Sequence, residues 1–299
     1  MRLVSTALVM ATMIACAGSV VVDPTIPVSA ATSPGSKAAA DVDGVRRALS
    51  AFEDRGFDHE PVLTITPVCY SICPRTRAIP EFAIYPDASL VAIERGLPGD
   101  ADSPQRTRSF RLSSEDLDRL AHLIQAGGLT TGDVHAAGTR SGVADGDGVI
   151  FEALIGSART YVHAPLLDSG DPDPVREALN SLRTLLRSYT ETADGTVLPT
   201  RWVMVGEPYT DPSSRPWQGG GHPTGEPPCL EFDPSELPPE FAGLTSQEEH
   251  EVAWVTFDRT SYAMTGRPLL PHEDDCGDVQ NHLSHIRAND DALDLAGEG

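Results

Sequence analysis

Cys69-Tyr70-Ser71-Ile72-Cys73-Pro74 places two thiols four positions apart, and this is the sharpest chemical signal in the chain. Soft thiolates at such a spacing can hold copper or serve thiol redox, and they can also close on each other as a local bridge. A second constellation lies near the C-terminus. His272, Cys276, His282 and His285 form a loose cluster of zinc-ligand types, but their spacing matches no closed zinc site and solvated histidines are the simpler expectation.

Three weaker patterns complete the set. Asp145-Gly146-Asp147-Gly148 has calcium-loop composition but lacks the third acid and a closing bidentate glutamate, so a turn before a strand is expected. Gly138-Thr139-Arg140-Ser141-Gly142 falls one residue out of register with a nucleophile elbow. Glu81, Asp87 and Glu94 flank one hairpin and read as exposed strand ends rather than an acid pair. The aromatics Trp202, Trp217 and Trp254 are candidates to line a ligand groove, but Trp202 and Trp254 lie in strand-like runs and are expected in the core.

Which cysteine chemistry applies depends on compartment, and the first residues speak to that. MRLVSTALVMATMIAC has a basic start at Arg2, an apolar run from Leu3 to Ile14, and a small residue before Cys16, the grammar of an export signal. Met13-Ile14-Ala15-Cys16 resembles a bacterial lipobox, so Cys16 is the expected lipid attachment residue, carrying palmitate-type chains. Two other readings stay open: cleavage after Ala30, which follows the small-x-small run Val28-Ser29-Ala30, and a retained helix from Leu3 to Val22. Acyl burial contributes ~0.8 kcal/mol per CH2, which outweighs repulsion between anionic lipid and a chain of formal charge -22.

An exported chain meets an oxidising environment, so the four later cysteines are expected to pair. A local Cys69–Cys73 bridge and a long Cys229–Cys276 bridge are the first expectation. Loop entropy gives roughly 2 kcal/mol for the short loop and about 4 kcal/mol for the long one. Four cysteines allow other pairings, and the sequence leaves them open.

Composition removes several classes of function. The only lysine is Lys37, in the segment after the leader. A phosphate-cradling loop of the Walker type, a Schiff-base enzyme, a protein kinase and a Ser-x-x-Lys acyl-enzyme all need a positioned lysine. An acidic chain without a basic run is also unsuited to nucleic acid. No cofactor motif stands out, and a protein or small-molecule ligand is not identified by the sequence.

The positioning elements follow from pattern. After a signal peptide (1–15) and a Ser/Ala/Thr/Pro-rich tether (16–43), one α+β domain is expected over 44–206. A Pro/Gly-rich extension with a hairpin follows over 207–287, and an acidic tail over 288–299 that frays for want of apolar anchors. Val45, Leu49 and Phe52 predict a short helix ending at Gly56. Leu117, Leu120, Ala121 and Ile124, capped by Ser113 and stopped by Gly127-Gly128, predict a second. Pro174 opens a third, striped by Leu179, Leu182, Leu186 and Tyr189. Runs at 62–66, 82–85, 90–93, 106–112, 149–155, 159–164, 202–205, 252–257 and 261–265 read as strands. The fold class is therefore α+β: an antiparallel sheet of hairpins, two main helices on one face, and a loop-rich C-terminal extension.

The order of these signals resembles uncharacterised exported lipoproteins of actinomycetes. The CxxxCP loop at Cys69–Pro74, Pro80-x-Phe82-x-x-Tyr85, the Asp87 turn, Leu112-Ser113-Ser114-Glu115-Asp116-Leu117 ending in Gly127-Gly128-Leu129, and Arg267-Pro268-Leu269-Leu270-Pro271-His272-Glu273 before Cys276 carry the likeness. It covers roughly residues 62–205 and 262–276 and implies address and fold but no activity. Where members carry Gly-Asp-Gly, this chain has Pro86-Asp87-Ala88, so a tight positive-φ turn is not expected.

Cys69 and Cys73 also resemble the copper site of Sco-type assembly factors. There a helix follows the motif, whereas here the chain runs into Pro80, and no histidine stands in a matching downstream context. The leading expectation is a lipid-anchored, non-enzymatic binding or structural protein on the outer face of the membrane. A copper or thiol-redox accessory protein is second. A hydrolase is third, and requires a cleft that joins a serine or an acid pair to a histidine.

Overall fold

A computed structural model describes residues 40–51, 59–69, 78–94, 105–138, 147–167, 173–198, 200–208, 214–217, 220–237, 241, 253–257 and 259–297. The leader, Cys16, Cys73 and the loop that holds Ser141 lie outside the described residues. Among those described, no helix is long and apolar enough to cross a membrane.

The fold is α+β with two sheets, mostly antiparallel. Sheet A takes β1 (Leu63–Cys69), β2 (Phe82–Ile84), β3 (Ser89–Glu94), β4 (Arg106–Arg111), β5 (Val134–Ala136), β6 (Asp147–Ile155), β7 (Ala158–Pro165) and β8 (Thr196–Val197), in the order β5-β7-β6-β1-β2-β3-β4-β8. Sheet B takes β9 (Trp202–Pro208), β10 (Arg215–Pro216), β11 (Cys229–Phe232), β12 (Ala253–Phe257) and β13 (Thr260–Pro268), in the order β10-β12-β13-β9-β11. The single sheet expected from sequence is thus two. The strands after residue 208 are not a loop-rich appendage, because β11 and β13 pair on either side of β9.

Helices α1 (Val42–Leu49), α2 (Ser114–Ala126) and α3 (Pro174–Thr192) pack on one face of sheet A. Asp41 caps α1 through the Gly44 N–H at 2.7 Å. Ser113 and Asp116 form a reciprocal capping box on α2, and Asp173 caps α3 with Pro174 in its first turn. Their buried leucines meet Leu63, Ile65, Phe82, Ile84, Phe151 and Val162 of the sheet. Gly127 at the end of α2 is held there by closeness, since a Cβ would stand 2.8 Å from Leu179 Cδ2.

The opposite face of sheet A is covered by sheet B and by α4 (Cys276–Gly297), with Ile150 and Tyr161 in one apolar cluster with Val203, Val205, Val279, Leu283 and Ile286. Here the structure departs most from the expected fraying tail. Asp275 accepts the Gly277 N–H at 2.6 Å and starts the helix, which continues past Ala288. Val279, Leu283 and Ile286 provide its apolar stripe, and polar side chains supply the rest of its docking.

The first hairpin brings two further corrections. Ala88 does adopt a positive φ of 63° without being glycine. That conformation costs an L-residue about 1–2 kcal/mol. Hydrogen bonds from Ala88 N to Tyr85 O, Leu112 N to Ala88 O and Ser89 N to Asp87 Oδ1 hold it in place. The acids around the hairpin are not free strand ends either. Glu81 receives Arg183 and Arg187 at 2.8 and 2.6 Å, Glu94 receives Arg108, and buried Asp87 bonds Ser89.

Candidate functional site

Strand alternation builds the site. Along β6, Val149, Phe151, Ala153 and Ile155 point to the helical face, so Ile150, Glu152 and Leu154 point the other way. Register extends this into rows: Thr64 of β1 and Tyr161 of β7 stand on either side of Glu152, and His163 stands opposite Ile150. The second face of sheet A therefore carries Thr64, Glu152, Tyr161 and His163, all buried.

Helix α4 lays a complementary polar stripe over that face. His282 and His285, one helical turn apart, reach the same carboxylate. His282 Nε2 lies 3.1 Å from Glu152 Oε2, and His285 Nε2 lies 3.3 Å from Glu152 Oε1. Further along, Asp290 Oδ1 accepts from Tyr161 Oη at 3.0 Å and lies 3.2 Å from His163 Nδ1. His282 Nε2 is buried, and both its charge and a hydrogen bond from its ring help to keep Glu152 ionised. Asn289 Nδ2 stands 3.0 Å from His285 Nε2.

Between α4, β1, β6 and the loop after Pro271 lies a cleft of about 460 Å³. Glu60, Thr64, Glu152, Arg159, His272 and His282 are among its lining residues, and the lining is largely polar. Burial alone would push the Glu152 carboxyl up, but the positive charges of His282, His285 and Arg159 override it and hold the group below the usual carboxylate range. Burial pushes His272 below its ordinary value, with the Glu273 carboxylate opposing. Burial also keeps Tyr85 protonated, its value raised well above that of a free phenol. Its hydroxyl oxygen stands 2.8 Å from His272 Nδ1, within hydrogen-bond distance.

Behind His272, the chain is fastened by an ion pair. Arg267 of β13 and Glu273 bond through both carboxylate oxygens, and Leu270 N donates to Glu273 Oε2 at 2.7 Å. Burial pushes Glu273 up, but the guanidinium and the amide win and hold it low. The start of α4 is fixed covalently, because Cys276 forms a disulfide with Cys229 of β11, Cα to Cα 5.7 Å.

The residues singled out in sequence fare differently. His272, His282 and His285 do share one cleft. Cys276 cannot be their fourth member, because its sulfur is in the disulfide. Cys69 ends β1, its backbone paired with Asp147, while its side chain and Cys73 lie outside the described residues. Gly138, the first residue of the elbow-like run and its one described member, packs against Arg176, which donates to Ala137 O and Pro165 O. Trp202 is buried against Phe232, Trp217 is half-buried against Phe241 and Phe257, and only the backbone of Trp254 is described.

Glu152 is the site residue that motif spacing misses. Its signal is a lone acid inside the apolar run Val149-Ile150-Phe151-Glu152-Ala153-Leu154-Ile155, where an ionised side chain costs several kcal/mol unless something answers it. The cleft does join carboxylates to histidines, as a hydrolase would require, but no serine or cysteine lines it among the described residues.

In comparison with known proteins, no family model, no curated protein and no solved structure matches the chain.

Proposed function

We propose that this protein is a non-enzymatic cell-envelope lipoprotein, held to the outer face of the membrane by acyl chains on Cys16, whose folded part binds a small polar ligand over Glu152. The observation that carries the binding role is the cleft: a buried carboxylate at its wall, met by two imidazoles and the Thr64 hydroxyl. Core positions seldom keep such a group without a use, because hydrophobic replacement at similar volume is often neutral or stabilising. The absence of a serine or cysteine from the described lining favours binding over acyl transfer. Address rests on the leader, where an apolar run ends in Ala15-Cys16.

Mass spectrometry of protein extracted from membranes tests the address. The expected product begins at Cys16 and carries two or three long acyl chains. An unmodified product beginning past Ala30 in the soluble fraction overturns it. Crystals soaked in mixed small polar compounds test the cleft, where density against Glu152 is expected and binding elsewhere alone would refute the site.

A further inference from the structure

We infer that helix α4 is a pH-operated latch over the cleft: pinned at its first residue, it lets its later turns off sheet A as pH rises from mild acid to mild alkali. That the latch governs access for a ligand rests on the cleft being a binding site, as proposed above. The latch itself rests on the contacts of the helix.

The two ends of α4 are held differently. At its start Cys276 is bonded to Cys229, and Gln280 Nε2 donates to Thr224 O and Pro227 O at 2.6 and 2.8 Å. A disulfide and an amide do not titrate near neutrality. Beyond them, the polar docking onto sheet A sets imidazole against carboxylate. His282 and His285 meet Glu152 at 3.1 and 3.3 Å, and in the reverse sense Asp290 of the helix meets His163 of β7 at 3.2 Å. Imidazole is the side chain whose charge ordinarily changes between about pH 5 and 8. Three such contacts along one stretch of helix tie its docking to that range.

The surrounding charges set the direction. Glu152 faces His282 and His285 from α4, Arg159 from β7 and the Thr64 hydroxyl from β1. Burial works against its charge, but His282, His285 and Arg159 hold the carboxyl below its ordinary value of 4.5, so it stays ionised in mild acid. Rising pH withdraws the helix's share of that countercharge and leaves Arg159, which is already paired with Glu60. The other charged or titratable neighbours have partners of their own: Glu273 has Arg267, His272 has Tyr85, and Asp278, one turn before His282, accepts the Asp274 N–H. His285 also meets the Tyr161 ring edge-on, and Tyr161 Oη donates to Asp290. A histidine that gains a carboxylate partner on folding contributes stability that is present at low pH and lost as pH rises. A covered carboxylate without countercharge is costly, so opening the helix becomes easier. The apolar stripe of Val279, Leu283 and Ile286 persists, so the change is in how often the later turns open and not in whether the protein folds.

Hydrogen exchange of the full chain, read by mass spectrometry at about pH 5.5 and about pH 8 and corrected for base catalysis, tests this. Protection in peptides covering 282–295 should fall by about tenfold or more, while those covering α2 keep theirs. His282→Gln combined with His285→Gln should lower protection at the acid end and flatten most of the pH dependence. His122→Gln, at an exposed position on α2, should change neither. Glu152→Gln keeps both imidazoles and should flatten the profile too. Near-UV circular dichroism on each variant separates a lost contact from a lost fold, and where no variant folds the wild-type profile decides. Protection of the helix that is flat or rises with pH, or an unaltered profile in the folded double variant, overturns the latch. Exchange is read without ligand, so an empty cleft in soaked crystals ends the binding reading and leaves the latch standing, and a flat profile does the reverse.

Discussion

Arg267 and Glu273 form an ion pair in which each side chain is only 1% exposed, between the last strand of sheet B and the loop that carries His272 into the cleft. The pair is surrounded by protein, so removing one partner leaves the other charge stranded. Glu273→Ala is expected to cost about 3–5 kcal/mol in urea unfolding. Near-wild-type stability would show that the loop is held by its apolar contacts instead.

The same pair fixes an acid dependence. Glu273 has its folded-state carboxyl below its ordinary value of 4.5, so its contribution is fully present above the unfolded value and lost as pH falls through the folded one. Stability should therefore fall as the solution is acidified below about pH 4.5. Glu273→Gln should flatten that part of the curve while lowering the plateau near neutrality. An unchanged acid slope would mean other carboxylates govern it.

The Cys229–Cys276 bridge closes a loop of 47 residues between β11 and α4. Replacing both cysteines by serine is expected to lower stability by about 4 kcal/mol on loop-entropy grounds. Chemical denaturation of the double variant, beside wild type with and without reductant, measures it. Equal midpoints for all three would remove the bridge from the stability argument.

The four cysteines after the tether should give no free thiol in protein made under oxidising conditions. A thiol count under denaturant checks this. Two free thiols assigned to Cys69 and Cys73, titratable with copper, would favour the accessory-protein reading over a local bridge.

Asp290 serves two groups on sheet A, Tyr161 and His163. Asp290→Ala should cost about 1–3 kcal/mol and speed amide hydrogen exchange in the second half of α4. Unaltered protection from Ile286 onward would show that the apolar stripe suffices to dock the helix.

Local signals carried much of the fold. The Ser113 capping box, Pro174 at the start of α3, the Pro86-Asp87 turn and the Gly156-Ser157 turn each sit where their types predict an element boundary. Pairing at long range was not legible. Nothing in Trp202–Pro208 says that its partners are Cys229–Phe232 and Thr260–Pro268 rather than the strands before it, and so two sheets read as one. Helix α4 was missed because half of its docking side is His, Asn and Asp, which look solvated until Glu152, Tyr161 and His163 are placed beneath them. Three of the cleft histidines were visible as a cluster, but the carboxylate that two of them meet lies on a distant strand and follows only from the register of β1, β6 and β7.

The sulfur–sulfur link at the first residue of α4 has a consequence in time. Both histidines that meet Glu152 ride on the helix it pins, about two and two and a half turns further along. In a reducing interior that lever would be held by noncovalent contacts alone. Under the proposed address, competence to capture a ligand would then arrive with oxidation after export rather than with synthesis.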